Sequence, residues 1–166
     1  DEAKRIVEAE LGAPAETLFR HFDPTPFAAA SIAQVHHATT HDGDRLVVKV
    51  QRPGIGKIID EDVAVLLFVA RALDHHLPTW RRLNLVGLVE EFAESISREL
   101  DFLREAQSAE RFLAQLSGEE RVYVPRIFWH LSTQRVLSME HSPGVRIDAA
   151  HPARREERIR LADELM

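Results

Sequence analysis

The chain has 166 residues, 45% hydrophobic and 29% charged, a composition typical of one globular domain with a real core. Its formal charge of -6 argues against a nucleic-acid partner, because phosphate backbones attract basic surfaces. The absence of cysteine excludes disulfides and thiolate metal sites and fits a reducing, cytoplasmic compartment. No apolar run is long enough to span a bilayer, so any peripheral or anchored membrane attachment would come from regions outside this chain.

The hydrophobic pattern predicts an α+β fold, with helices on one side of a small antiparallel sheet of about five strands. Residues 1–20 have apolar residues at helical spacing, and Gly12-Ala13-Pro14 divides them into two short helices. Two strand-like segments follow, 27–36 and 45–50. They are joined at Asp42-Gly43, where glycine accepts the positive φ that a tight hairpin requires.

Helical segments come next in the chain. An apolar helix is predicted over residues 63–73, with the acids at 60–62 capping its start, and one long amphipathic helix over 84–116. Strands are predicted near 122–130 and 134–140, and a charged helix over 152–166. Because apolar residues surround the 63–73 helix almost completely, we expect it to pack against protein or a membrane surface outside this chain. Burial inside the chain is the alternative.

A phosphate-binding pattern lies across the first hairpin. Protein kinases cover ATP phosphates with a G-x-G-x-x-G-x-V loop, and about fifteen residues later a strand supplies a lysine that holds the phosphates. Here Ala28, Ala30 and Ala33 occupy the glycine positions and Val35 the valine position. Lys49 stands at the lysine position.

Strand geometry predicts which face of its strand carries Lys49. Successive side chains point to opposite faces, so Leu46, Val48 and Val50 share one face while Val47 and Lys49 share the other. A ligand on the second face would meet an apolar wall and an ammonium group. A lone strand lysine is usually only solvent-exposed, but the loop before it and the acidic helix after it favour a phosphate-binding role.

The segments A-A-A-S-I-x-Q-V-H at 28–36 and V-K-V-Q-R-P-G at 48–54 resemble those of the UbiB family of atypical kinases, and the resemblance covers nearly the whole chain. It implies the N-terminal lobe of a protein-kinase-like fold, with a long helix C and an inserted apolar helix. It also implies three parts: a helical lead-in from an upstream extension (1–21), the lobe (22–142), and the hinge with the start of a C-terminal lobe (143–166).

The resemblance further implies a site for ATP or ADP on this lobe, with Lys49 paired to an acid of the helix C segment. Either Glu99 or Glu105 should form the pair, because six helical residues turn by about 240° and both cannot aim at one point. The other acid, with Asp101, would face the upstream extension or a metal. The implied nucleotide-binding residues are Ala28, Ala29, Ala30, Ser31, Ile32, Ala33, Gln34, Val35, Val47 and Lys49, then Met139 as gatekeeper, and Glu140 and His141 as the hinge that bonds the adenine edge.

The implied function is nucleotide binding by an atypical kinase or ATPase connected with ubiquinone or other prenyl-lipid metabolism. The implied partners are lipid-pathway proteins, a membrane surface, the upstream extension and the C-terminal lobe. Mg²⁺ is implied as well, on ligands that the family carries downstream; the adjacent pairs His36-His37 and His75-His76 diverge and predict no metal site. Two alternatives stay open: a nucleotide-binding pseudokinase scaffold, and a small-molecule phosphotransferase of the aminoglycoside type, which would lack the Ala-rich loop.

Overall fold

Short helices, a small sheet and three longer helices follow one another in the computed structural model, which describes residues 2–77, 82–116 and 123–144. The helix predicted over 152–166 lies outside these residues. A 3-10 turn at Trp129–Leu131 precedes the last strand. The elements in chain order are α1 (Glu2–Leu11), α2 (Ala15–Leu18), β1 (His21–Phe22), β2 (Ala28–Ala29), β3 (Ala33–Thr39), β4 (Arg45–Gln51), α3 (Ile55–His76), α4 (Leu85–Glu99), α5 (Phe102–Gln115) and β5 (Val136–Glu140).

The sheet is antiparallel and has the strand order β1-β3-β4-β5, with β2 pairing with β3 as well. The β3–β4 hairpin turns at the predicted place. Thr40 N–H donates to the Asp44 carbonyl (2.9 Å) and Asp44 N–H to the Thr40 hydroxyl (3.0 Å), while Gly43 adopts φ 95°. The predicted class, α+β with a small sheet of five strands, is confirmed.

The main core lies on one face of this sheet. Leu46, Val48 and Val50 of β4 are buried there together with Val7 of α1 and Val136 of β5. The neighbours Val47 and Lys49 are only half-buried, so the alternation predicted for this strand is confirmed. The N-terminal helices, split at the predicted break, therefore pack into the same core as the sheet.

The apolar helix is longer than the sequence pattern predicted. It begins at Ile55 and not at residue 63, because Gly54 takes a left-handed conformation (φ 67°) directly before it and redirects the chain into the helix. The acids at 60–62 therefore lie inside α3 and do not cap its start. α3 packs against α4, and Ala70 is its buried residue.

The single helix predicted over 84–116 is wrong, because α4 ends at Glu99 and the chain leaves the helical conformation at Asp101. Asp101 is extended (φ -98°, ψ 93°), and its carboxylate accepts a hydrogen bond from Leu103 N–H as the N-cap of α5. Phe102 N–H donates to the Gln134 carbonyl at 3.1 Å, which fixes the break to the sheet. The apolar spacing continues across the break, so periodicity alone could not reveal it.

The strand predicted near 122–130 is also wrong for the residues described from 123 onwards. They contain an isolated bridge between Ile127 and Met139 and then turn at Trp129–Leu131. Hydroxyl groups favour the turn, because Ser132 Oγ donates to the Phe128 carbonyl (2.9 Å) and Ser138 Oγ to the Leu131 carbonyl (2.7 Å). The strand predicted near 134–140 is present as β5.

Within the described ranges, no helix combines the length and the apolar character needed to cross a membrane.

Candidate nucleotide-binding site

The Ala-rich loop is a tight connection between β2 and β3. Ala28 pairs with Val35 and Ala29 with Gln34, and Ala30 N–H donates to the Ala33 carbonyl at 2.8 Å. The loop places Ser31 at its exposed tip. None of its alanines has a positive φ, so its shape does not depend on glycine.

Lys49 extends from the face of β4 opposite the main core and is paired with Glu105. The Lys49 Nζ to Glu105 Oε2 distance is 2.6 Å. Nζ also lies 4.7 Å from the centre of the Phe102 ring, close enough for a cation–π contact. The ammonium group is thus fixed between a carboxylate and an aromatic ring.

The helix break explains why Glu105, and not Glu99, reaches the lysine. Gln51 Nε2, at the end of β4, donates to the Leu100 carbonyl and to the Gln134 carbonyl (3.2 Å for the second). These bonds hold the start of α5 beside the lysine strand, one turn before Glu105. Glu99 and Glu105 could not both aim at one point on a continuous helix, but they lie on two separate helices here.

The three acids and the lysine nevertheless share one open cleft of about 930 Å³ between the loop and the α4–α5 junction. Glu99 and Asp101 line it together with Lys49 and Glu105. Arginines 98, 104 and 111 line it too. Asp101 pairs with Arg104, Glu105 with Lys49, and Arg98 with Glu94 just outside the cleft, so most of the charged groups at this cleft are paired with one another.

Ala33 and Ile32 connect the loop to α5. Ala33 is fully buried in a second small core with Phe102, Ala106 and Leu137, and Ile32 and Met139 pack against this core. The loop, β5 and the helix that carries Glu105 are therefore packed against one another. A displacement of α5 would therefore also displace the loop.

Glu140 and His141, the residues expected to form the hinge, have less hydrogen-bonding capacity for a base than the sequence suggested. Glu140 N–H donates to the Arg126 carbonyl at 2.9 Å, and His141 N–H donates to the Arg45 carbonyl at 3.0 Å. Both N–H groups are thus used inside the lobe. Val35 and Val47 remain half-buried on the face that carries Lys49, where they form the apolar wall that the strand pattern predicted.

A family model described as the ABC1 atypical kinase-like domain matches residues 1–166. The chain belongs to the ABC1 atypical kinase-like family. A "Probable protein kinase UbiB" of Pseudomonas entomophila is 41% identical over 86% of the chain. The chloroplast protein ACTIVITY OF BC1 COMPLEX KINASE 7 of Arabidopsis thaliana is 40% identical over 89% of the chain. The resemblance to UbiB proteins is confirmed.

A solved structure of this kind supports the fold. The Mycobacterium tuberculosis protein Rv3197, solved in complex with erythromycin, matches 87% of the chain with a TM-score of 0.73 and 29% identity. The chain spans 36% of that protein, and 27% and 21% of the Pseudomonas and Arabidopsis relatives. The chain therefore spans about a fifth to a third of the length of these proteins.

Two residues of the ABC1 motifs hold the site in ways that the sequence did not reveal. Arg52, in the Q-R-P-G segment, donates from Nε to the Ala30 carbonyl (3.1 Å) and from its backbone N–H to the Ile32 carbonyl (2.9 Å). His36 is buried; its Nδ1 donates to the Asp23 carbonyl (2.9 Å), and its ring stacks on Phe22. The motif positions of Arg52 and His36 are visible in the sequence. Their hydrogen-bonding partners could not be predicted, because those partners are distant in sequence.

The acids of the ABC1 cleft do not assemble a metal site within the described residues, where no group of three His, Cys, Asp or Glu has suitable geometry. The Asp101 carboxylate is engaged by Leu103 N–H and lies 3.5 Å from Arg104 Nε. These side chains do not fit a Mg²⁺ ligand set. Mg²⁺ stays an expectation that rests on the resemblance.

Proposed function

We propose that this chain forms the nucleotide-binding part of an atypical kinase or ATPase, with Lys49 holding the phosphates of ATP or ADP. The observation that carries the proposal is the 2.6 Å pair between Lys49 and Glu105 beside the Ala-rich loop. A lysine that is already oriented by an ion pair loses less side-chain entropy when a nucleotide binds than a mobile lysine does. The pair with Glu105 therefore favours phosphate binding by Lys49.

The pair serves orientation more than stability. The Lys49 side chain is 23% exposed and that of Glu105 46%, and ion pairs with such exposure contribute about 1 kcal/mol or less. Removing Glu105 would therefore leave the lobe folded and release the lysine. A loss of nucleotide binding on removal of Glu105 would therefore reflect the orientation of Lys49 and not a loss of folding.

The loop supports the same proposal from the other side of the cleft. Arg52 bonds the carbonyls of Ala30 and Ile32, so the loop is held in one shape above Lys49. Backbone N–H groups and a nearby ammonium group together form the usual phosphate site of kinase lobes.

A connection with ubiquinone or other prenyl-lipid metabolism is a finer proposal. It rests on the resemblance to UbiB proteins, as do the implied partners: a membrane surface and proteins of a lipid pathway. The family name "kinase" of the relatives supports phosphoryl chemistry and does not identify the acceptor.

The first test measures MgADP and MgATP binding by the full-length protein with calorimetry. Lys49→Met is expected to weaken binding at least about tenfold, since it removes a charge-assisted contact of about 1.4 kcal/mol or more. Glu105→Gln should weaken binding less, and Glu99→Gln least, because Glu99 does not touch Lys49.

Lys57→Met is the matched control, since Lys57 is an exposed lysine of α3 that pairs with Glu61 at 3.7 Å. It should bind as the wild type does. Equal affinity of Lys49→Met and wild type would contradict the proposal. Binding without any turnover of ATP would instead identify a pseudokinase that uses the same site.

A further inference from the structure

A buried amide lies at the end of β4, on the face of the strand that carries Lys49. Gln51 follows Lys49 by two residues, and side chains two residues apart on a strand share a face. It lies opposite Ala33 in the sheet register and is only 6% exposed. Burying a polar side chain costs free energy unless its hydrogen bonds are made, so an amide beside this small apolar core needs specific partners.

The partners of Gln51 are two backbone carbonyls, one at the break between α4 and α5 and one just before β5. Its Nε2 donates to the Leu100 carbonyl and, at 3.2 Å, to the Gln134 carbonyl. The Gln134 carbonyl also accepts from Phe102 N–H at 3.1 Å. One side chain therefore connects the end of β4, the start of α5 and the segment that leads into β5.

The Leu100 carbonyl is available to Gln51 because the helix is interrupted there. In an uninterrupted α-helix this carbonyl would accept from Arg104 N–H, four residues later. Arg104 N–H instead donates to the Asp101 carbonyl at 3.0 Å. The Gln51 amide thus replaces a helical hydrogen bond that the break removes, and it stabilises the interrupted form of the chain.

The break in turn decides the direction of Glu105. Two contacts join one face of β4 to this part of the chain: the Gln51 bond to the Leu100 carbonyl, and the 2.6 Å pair between Lys49 and Glu105. Without the first contact, the Leu100 carbonyl regains a protein partner if the helix closes. Successive residues turn by about 100° around a helix, so closing the break would turn Glu105 away from Lys49.

The next residue, Arg52, contacts the other half of the site. Its Nε donates to the Ala30 carbonyl and its backbone N–H to the Ile32 carbonyl. These bonds go to the Ala-rich loop, whereas the side-chain bonds of Gln51 go to the α4–α5 break and to Gln134. Two adjacent residues at one strand end thus hold two separate parts of the cleft.

We propose that Gln51 is a positioning residue of the nucleotide site, which strengthens nucleotide binding by holding Glu105 against Lys49, while Arg52 strengthens binding separately through the loop. The inference rests on the function proposed above. Because Gln51 acts through Glu105, its contribution to nucleotide affinity should disappear when Glu105 cannot form the ion pair.

The test is a double-mutant cycle on MgADP affinity, measured by calorimetry with the full-length protein. Gln51→Met removes both N–H donors and keeps an unbranched side chain of similar length. We expect it to weaken binding about threefold alone and by less than about 1.5-fold when combined with Glu105→Gln, because residues that act through one contact are not additive. Arg52→Met should weaken binding by the same factor with and without Glu105→Gln.

Gln115→Met is the matched control, since Gln115 is an exposed glutamine at the end of α5. It should bind MgADP as the wild type does, with and without Glu105→Gln. Thermal unfolding without nucleotide reports separately the stability that Gln51 contributes. If Gln51→Met does not fold, Gln51→Asn takes its place in the cycle, since it keeps an amide but withdraws it by one methylene from the two carbonyls.

Three results would overturn the inference and leave the proposed function standing. The first is an equal loss of affinity from the Gln51 variant with and without Glu105→Gln, which a merely structural role would produce. The second is unchanged affinity of the Gln51 variant while Lys49→Met weakens binding. The third is a loss from Arg52→Met that disappears in Glu105→Gln, which would contradict separate action. Absence of MgADP binding by the wild type would instead remove the proposed function and this inference together.

Discussion

Alanine replaces glycine at three positions of the phosphate loop, and the surroundings of the three differ. Ala28 and Ala30 are exposed, whereas Ala33 is fully buried against Phe102 and Ala106. A methyl group on the first two packs against little, so core packing does not explain their presence. At Ala33 packing is a sufficient explanation.

Ala28→Gly and Ala30→Gly are expected to alter the preference for ATP over ADP in the full-length protein more than they alter its stability. Glycine would let the loop approach the phosphates closely and adopt shapes that the methyl groups forbid. The free energy of unfolding should change by about 1 kcal/mol or less. Thermal shift measured with each nucleotide reports both quantities.

Ala33→Gly serves as the contrasting variant and should lower the free energy of unfolding by about 1 to 2 kcal/mol, because it removes a buried methyl group and adds chain entropy. If Ala28→Gly and Ala30→Gly leave the nucleotide preference unchanged, the loop alanines have no part in selectivity.

The sequence was sufficient to assign Lys49 to its face, because strand alternation depends only on neighbouring residues. It could not choose between Glu99 and Glu105. That choice depends on the helix break at Leu100, which is held by Gln51 from 49 residues earlier in the chain. The partners of Arg52 and His36 could not be predicted either, because those contacts also join residues that are distant in the sequence.

Among the elements, α3 is rich in apolar residues, yet many of them are exposed. Phe68 is 73% exposed, and Val65, Leu66 and Val69 are exposed as well. Contact with α4 therefore leaves much of the apolar surface of α3 uncovered within the described residues. The expectation that α3 packs against something outside this chain stays a prediction, and the rest of the full-length protein is the occupant we favour.

Phe68→Ser is expected to lower the free energy of unfolding of the full-length protein by about 3 kcal/mol, the usual cost of removing a buried phenyl ring. Denaturant unfolding followed by circular dichroism would measure it. An exposed site would change by only about 0.5 kcal/mol, as expected for the control Arg71→Ser on the same helix. A small effect of Phe68→Ser would show that this face is solvent-exposed in the whole protein.

At the scale of the whole molecule, the chain spans about a quarter of its UbiB relative, so the proposed connection with prenyl-lipid metabolism is tested on the full-length protein. We expect the full-length protein to restore ubiquinone levels in a bacterial strain that lacks its UbiB protein, and Lys49→Met not to restore them. Quinone extraction and chromatography would measure this, with Lys57→Met as the control. Unchanged quinone levels with the well-expressed wild-type protein would contradict the prenyl-lipid proposal.

The packing of α1 determines when this lobe can fold during synthesis. Glu10 bonds Thr133 and Arg135, which lie 123 and 125 residues later, and Val7 shares its core with Val136. At about 5 to 20 residues per second, a ribosome needs roughly 6 to 25 s to reach these partners. A ten-residue helix has only marginal stability alone in water. We therefore expect α1 to stay unfolded or chaperone-bound in the nascent chain until β5 has been translated.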